Sequence, residues 1–222
     1  MKQLADGVWQ LAGFPPHLIN VYLVEDVLID AGTRHAGRRI LRELRGREVN
    51  AHAVTHAHPD HQGASKEVCE TLGIPYWVPE GDADAAERPE LIGRRQPDNA
   101  LAQFFVRTMT GPGRRVDRRL REGDQVAGFV ALDTPGHSAG HVAYWREADR
   151  VLIVGDVLSN QDTLTGIRGL HEAKPLLTPD LERNRESARR LAALEPALAL
   201  FGHGPPLRDA KKLVDFVRSL PR

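Results

Sequence analysis

Thr55-His56-Ala57-His58-Pro59-Asp60-His61-Gln62-Gly63 sets three histidines and one aspartate within six residues, directly after the short apolar stretch at residues 51–54. In a chain of this composition, His-x-His-x-Asp-His arises by chance about once in a thousand sequences. A polar loop of solvated histidines is therefore a poor account of it.

Outward from this stretch, hydrophobic periodicity predicts alternating strands and helices. Residues 19–24 and 27–29 read as a strand pair about Glu25-Asp26, closed by Asp30-Ala31-Gly32. Ile40, Leu41 and Leu44 share one helix face, residues 65–72 read as a helix stopped by Gly73, and residues 76–78 as a strand. Further strands are expected at 126–132, 142–145 and 151–154, the last unbroken apolar, as for a strand covered on both faces. A helix over 180–194 with Asp180 as N-cap, a strand at 197–201 and a helix over 211–219 complete the pattern. The charged, Pro- and Gly-rich segment 79–119 is expected as an insertion with one short amphipathic helix, and residues 158–179 as a loop. The whole of 1–222 is expected to be one domain.

Three more candidate ligands repeat the local setting of the first four. His137 closes Thr134-Pro135-Gly136-His137, Asp156 closes Val154-Gly155-Asp156, and His203 sits in Phe201-Gly202-His203-Gly204. Each lies just past a predicted strand, beside a glycine that permits a sharp turn. Strand ends of layered sheets meet on one rim, where binding sites commonly form. Five histidines and two aspartates exceed the donors of one tetrahedral metal and suit two cations sharing a carboxylate. Imidazole and carboxylate suit Zn²⁺, and also Fe and Mn. Two such cations about 3.5–4 Å apart ionise a bridging water near neutral pH. Asp60 is the candidate catalytic residue that orients this nucleophile or passes a proton to the leaving group.

Taken in order, from the Asp-x-Gly at Asp30 to His203, these residues resemble the metallo-β-lactamase superfamily. The resemblance implies an α/β fold, an αβ/βα sandwich of two mixed β-sheets flanked by helices. It implies one metal at His56, His58 and His137, another at Asp60, His61 and His203, with Asp156 bridging and Asp30 orienting a ligand or its loop. Two divalent metal ions are the implied cofactors, Zn²⁺ first, with Fe or Mn as alternatives. The implied activity is hydrolysis of an ester, thioester or lactone by a hydroxide held between the metals. Asp156 stands where true metallo-β-lactamases often carry Cys or Ser. Only nineteen residues follow His203, against the helical glutathione-binding region that glyoxalase II proteins carry there. No tyrosine follows Tyr144, whereas acyl-homoserine lactonases typically place one after the bridging aspartate. The alternatives are a mononuclear iron dioxygenase of the persulfide-dioxygenase type, or a metal-binding protein without turnover.

Composition narrows the partners. Thirty basic and thirty acidic residues give a formal net charge of zero, which offers no global attraction to nucleic acid or anionic membrane. The single cysteine, Cys69, excludes an internal disulfide framework and reads as a packed apolar residue. With no apolar run long enough for a signal or membrane span, the expectation is a cytoplasmic monomer or homodimer acting on a small-molecule substrate. Phe104, Phe105 and His171 are the candidate substrate-binding residues, from the insertion and from the loop after Asp156. His17, His35, His52 and His141 read as surface or structural, with His141, four residues after His137, a candidate for supporting a ligand. The arginines at 114, 115, 118, 119 and 121 read as a solvated turn.

Overall fold

Strands too short to fold alone acquire stability here by alternation, one set of side chains meeting a facing sheet and the other set meeting helices. The protein is described by a computed structural model covering residues 1–221. The first sheet runs in chain order through β1 (Lys2–Ala5), β2 (Val8–Gln10), β3 (Tyr22–Val24), β4 (Val27–Ile29), β5 (Ala51–Ala53), β6 (Tyr76–Pro79) and β7 (Arg118–Leu120). Its first four strands pair antiparallel and the remainder parallel. The second sheet comprises β8 (Gln125–Val126), β9 (Phe129–Asp133), β10 (Val142–Arg146), β11 (Val151–Gly155) and β14 (Leu198–Phe201), with β14 parallel to β11 at one edge. A separate hairpin, β12 (Leu158–Gln161) with β13 (Arg168–Glu172), follows β11.

The core lies between the sheets. Val27 and Ile29 of β4 and Val151 and Ile153 of β11 point into it, joined by Tyr22, Phe129, Tyr144 and Leu200. Their alternate neighbours point outward. Leu28 meets Ile40 of α1 (Gly37–Glu43) and Val68 of α3 (Ser65–Leu72), beyond the single turn α2 (Pro59–Gln62). Leu152 and Val154 meet α7 (Leu181–Ala192) and α8 (Ala210–Ser219) through Ala188, Leu191, Leu213 and Val217. The order helix, sheet, sheet, helix is the sandwich that the sequence predicts. The N-cap of α7 is Asp180, whose side chain accepts from the Arg183 amide at 3.0 Å.

Three expectations need correction. The segment 79–119 holds three helices, α4 (Ala83–Glu87), α5 (Glu90–Arg95) and α6 (Ala100–Met109), besides a 3₁₀ turn at Glu80–Asp82 and strand β7. Ala83, Ala85, Ala86 and Ile92 of the first two pack on Val54, Tyr76 and Val78, so the segment builds an apolar cluster of its own against the first sheet through small side chains of weak periodicity. Residues 158–179 are not a loop throughout, because β12 and β13 pair there. Leu158-Ser159-Asn160-Gln161 is polar in sequence yet buried, its backbone satisfied by pairing and by Asn160 N–H donating to the His203 carbonyl at 2.9 Å. The strand expected at 19–24 begins only at Tyr22, since Leu18 and Ile19 turn toward the cavity described below.

Candidate metal centre

Within each sheet the strands that carry candidate ligands point the same way. Asp30 follows β4, the stretch His56 to His61 follows β5, His137 follows β9, Asp156 follows β11 and His203 follows β14. Hydrogen bonds join the sheets at this rim: Tyr22 Oη to the Phe201 carbonyl (2.7 Å), Tyr144 Oη to the Val54 carbonyl (2.7 Å) and Val142 N to the Thr55 carbonyl (2.9 Å). The seven side chains converge there. His56, His58 and His137 offer donor atoms within 4.8 Å of one another, as do Asp60, His61 and His203, and as do His56, His61 and Asp156. Asp156 Oδ2 sits among both sets, 3.0 Å from His203 Nε2, 3.3 Å from His61 Nε2 and 3.5 Å from His137 Nε2.

The hydrogen bonds decide which ring nitrogen faces the centre. His56 Nδ1 meets Thr55 Oγ1 (3.0 Å), His137 Nδ1 meets Thr178 Oγ1 (3.1 Å) and His61 Nδ1 donates to Asp30 Oδ2 (2.9 Å). His203 Nδ1 donates to the Leu18 carbonyl. In all four rings Nε2 is left for the centre. His58 is reversed, because its Nε2 lies 2.5 Å from the Gln96 amide and leaves Nδ1. The Gln96 atom placed there is Nε2; turning the amide over brings its oxygen to the His58 Nε2–H, which then donates, and Nδ1 keeps a free lone pair. Nε2 of His56, His61 and His137, with Oδ1 of Asp156, are buried and have no hydrogen-bond partner among the described residues. Four buried polar atoms without partners, gathered in one place, are costly unless something binds them.

Gly202 makes room for this crowding. A Cβ there would lie 1.9 Å from Asp156 Oδ1 and 2.7 Å from His61 Cε1. The residue is thus required to be glycine by its neighbours. The donor chemistry and this cradle together fit a divalent cation at each of the two three-residue sets.

The electrostatics separate the sets. Burial, with the neighbouring rings of His61 and His58, holds His56 well below the ordinary imidazole value. Burial lowers His58 to about 4 and His137 to about 3. These three rings are neutral at pH 7. At His61 burial opposes the charge, but Asp156, Asp30 and Asp60 outweigh it and raise the ring well above 6.5. The same contest at His203, won by Asp156 and Asp60, raises it to about 10. Asp60 and Asp156 are held far below the usual carboxylate range, burial being overcome by His61 and His203. Without a cation the second set is a buried ion-pair cluster whose protons a cation would displace.

Supporting residues complete the centre. Asp30 adopts φ +62° and accepts from the Thr55 amide (2.8 Å) and hydroxyl as well as from His61. A non-glycine residue in that region is strained and persists where its surroundings over-determine it. His141 is buried, accepts the Asp156 amide on Nε2 at 3.0 Å and meets Thr134 Oγ1 through Nδ1. Asp82 had no sequence signal. Its buried carboxylate accepts from the Ala57 amide (2.9 Å), the Ser138 hydroxyl (2.6 Å) and the Gly140 amide (2.9 Å), clamping the loop of His56 and His58 to the loop of His137.

A cavity of about 230 Å³ opens over the cluster, lined by His58, Asp60, His137, Asp156 and His203 on its floor. Phe105 lines it, whereas Phe104 does not and is 58% exposed. Adjacent helical positions point about 100° apart, so only one of the pair can face in. His171 is likewise absent from the lining; Glu172 takes the inward position of β13, and His171 Nε2 donates back to the Ile167 carbonyl (3.0 Å).

A sandwich of two mixed sheets with a His/Asp cluster at one rim defines the metallo-β-lactamase fold class. The family profile described as "Metallo-beta-lactamase superfamily" matches residues 14–203, and the chain belongs to that superfamily. It is 29% identical over 226 residues to the probable metallo-hydrolase YflN of Bacillus subtilis, covering 88% of this chain and 84% of YflN. Among solved structures it is similar to the metallo-beta-lactamase family protein TTHA1429 from Thermus thermophilus, at TM-score 0.72 and 27% identity over 98% of this chain and 80% of that one. It is also similar to TTHA1623, solved in a di-iron-bound form, at TM-score 0.61 and 28% identity over 93% of each chain. Among the described residues no helix is long and apolar enough to cross a membrane.

Proposed function

We propose that this protein is a hydrolase of small esters, thioesters or lactones that works with two divalent cations. The observation that carries the reading is the set of buried, partnerless donor atoms at His56, His61, His137 and Asp156. His56 Nε2, His58 Nδ1 and His137 Nε2 would hold one cation, and Asp60, His61 Nε2 and His203 Nε2 the other, with Asp156 between them. When bound, such cations supply Lewis acidity toward the substrate carbonyl and lower the pKa of water.

The remaining roles belong to the chain. Thr55, Thr178, Asp30 and the Leu18 carbonyl fix the tautomers and aim the rings. Asp60 faces the cavity as a carboxylate with its Oδ2 3.3 Å from His203 Nε2. It accepts a proton from the attacking water and passes it to the departing alcohol or thiol.

Metal analysis of protein purified without added metal, followed by chelation and reloading, tests the reading. Two zinc, iron or manganese ions per chain, with ester, thioester or lactone hydrolysis lost on chelation and restored on reloading, is the expected result. A single iron with oxygen consumption and no hydrolysis would overturn it in favour of an oxidative enzyme.

A further inference from the structure

Away from the ligand set the cavity lining is mostly apolar, with Gln96, Ser159 and Thr163 as its uncharged polar residues. Ala102, Phe105, Val106 and Met109 of α6 line the cavity, together with Leu18 and Leu177. Two charged residues besides the ligand set reach the lining, and both are already neutralised. Lys174 is paired with Asp162, and Glu172 is paired with Arg185, whose Nη2 donates to its Oε2 at 3.1 Å. No unpaired cation in the lining is left to receive a carboxylate or phosphate carried by the substrate.

We infer that the cavity takes the acyl chain of a neutral, medium-chain ester, lactone or thioester, and discriminates against substrates carrying a carboxylate on that chain. This rests on the hydrolase reading above. The lining is complementary to methylenes, and each buried one strengthens binding about two- to fourfold. The space, about 230 Å³, suits a chain of moderate length. That size lies below the usual 300–1,000 Å³ of pockets for larger ligands. A carboxylate on that chain would meet the opposite fate, since it would lie against the side chains of α6, away from the ligand set, with no free counter-ion to repay its desolvation.

The test separates binding from turnover. Neutral straight-chain amides from acetamide to dodecanamide are titrated into cation-free protein by ligand-observed NMR. Affinity is expected to climb about two- to fourfold per methylene through the shorter chains and then level. Phe105→Lys and Leu177→Lys, which sit on different elements so that one folding failure does not remove the test, each reduce octanamide affinity at least tenfold and weaken the dependence on chain length. Affinity indifferent to chain length in the wild type, or unaltered in a folded variant, overturns the inference. In parallel, metal-loaded enzyme is assayed with aryl acetate, aryl octanoate and a chromogenic β-lactam. Chain-length-dependent binding without hydrolysis of any ester defeats the hydrolase reading but leaves the pocket assignment standing. Hydrolysis in which octanoate gains nothing over acetate, or in which the β-lactam is preferred, defeats the pocket assignment and leaves the hydrolase reading intact.

Discussion

Asp82→Asn isolates the clamp between the two ligand loops. The native carboxylate accepts three hydrogen bonds, two from backbone amides at Ala57 and Gly140 and one from Ser138. An asparagine offers one oxygen where two were used, so one buried amide faces an NH₂ group. Leaving a buried donor unsatisfied costs about 1–3 kcal/mol, and losing the charge on the other bonds adds to it. The expected destabilisation is about 2–4 kcal/mol, a large share of the roughly 5–15 kcal/mol of a typical domain. The geometry also limits where the damage falls. Ala57 lies between His56 and His58, and Ser138 adjoins His137, so the first ligand set loosens while Asp60, His61 and His203 keep their own supports. Cation affinity at the first set should drop about 10- to 100-fold, with the second set nearly unchanged. Urea unfolding of the cation-free protein reads the first quantity. Stepwise Co²⁺ titration followed by absorption, which resolves two binding events, reads the second. An unchanged urea midpoint together with two wild-type affinities would refute the clamp.

Gly202→Ala should leave the backbone free to fold but drive Asp156 and His61 apart, because the new Cβ would fall 1.9 Å and 2.7 Å from them. Cation stoichiometry is expected to fall from two to one, measured by elemental analysis after gel filtration; a variant that retains both cations at wild-type affinity contradicts the cradle. His52, remote from the cations, gives a pH signature. Its Nδ1–H donates to the Leu28 carbonyl at 3.0 Å and its Nε2 meets Ser65 Oγ at 2.8 Å, and burial lowers its pKa to about 4. The folded value lies below the unfolded 6.5, so the unfolded chain binds the proton first and stability declines as pH falls from about 6.5 to about 4, by roughly 3 kcal/mol. His56, His58 and His137, lowered by burial in the same way, share this pH window, so His52→Gln should lessen the slope of the urea-midpoint profile rather than abolish it; a profile equally steep in the variant would remove His52 as a contributor.

The legible part of the site is the part written locally. His56, His58, Asp60 and His61 lie within one turn and its approach, and His137, Asp156 and His203 each betray themselves by a glycine at a strand end. The sandwich was implied by the resemblance those residues carry, and the unbroken apolar runs of β4 and β11 agree with strands covered on both faces. Asp82 stayed hidden because its partners are two backbone amides and one serine, 25 to 58 residues away, which leave no mark on side-chain pattern. Gln96 escaped for the same reason, as an amide in a charged segment that meets His58 only after α5 and α6 fold back. Strands β1 and β2 are three or four residues long, too short for a period to stand out beside the turn at Gly7. Buried polar β12 was misjudged because composition reports transfer from water and not backbone pairing.

Cation donors stand on strand ends locked between two sheets, whereas the apolar lining comes from α6 and from loop residues outside those sheets. Reactivity and selectivity are therefore inherited from different stretches of chain. On the proposed reading, exchange within 100–109 would change which acyl group is accepted without disturbing the residues that would hold the cations. A library confined to those ten positions is accordingly the economical place to begin redesigning what this scaffold accepts.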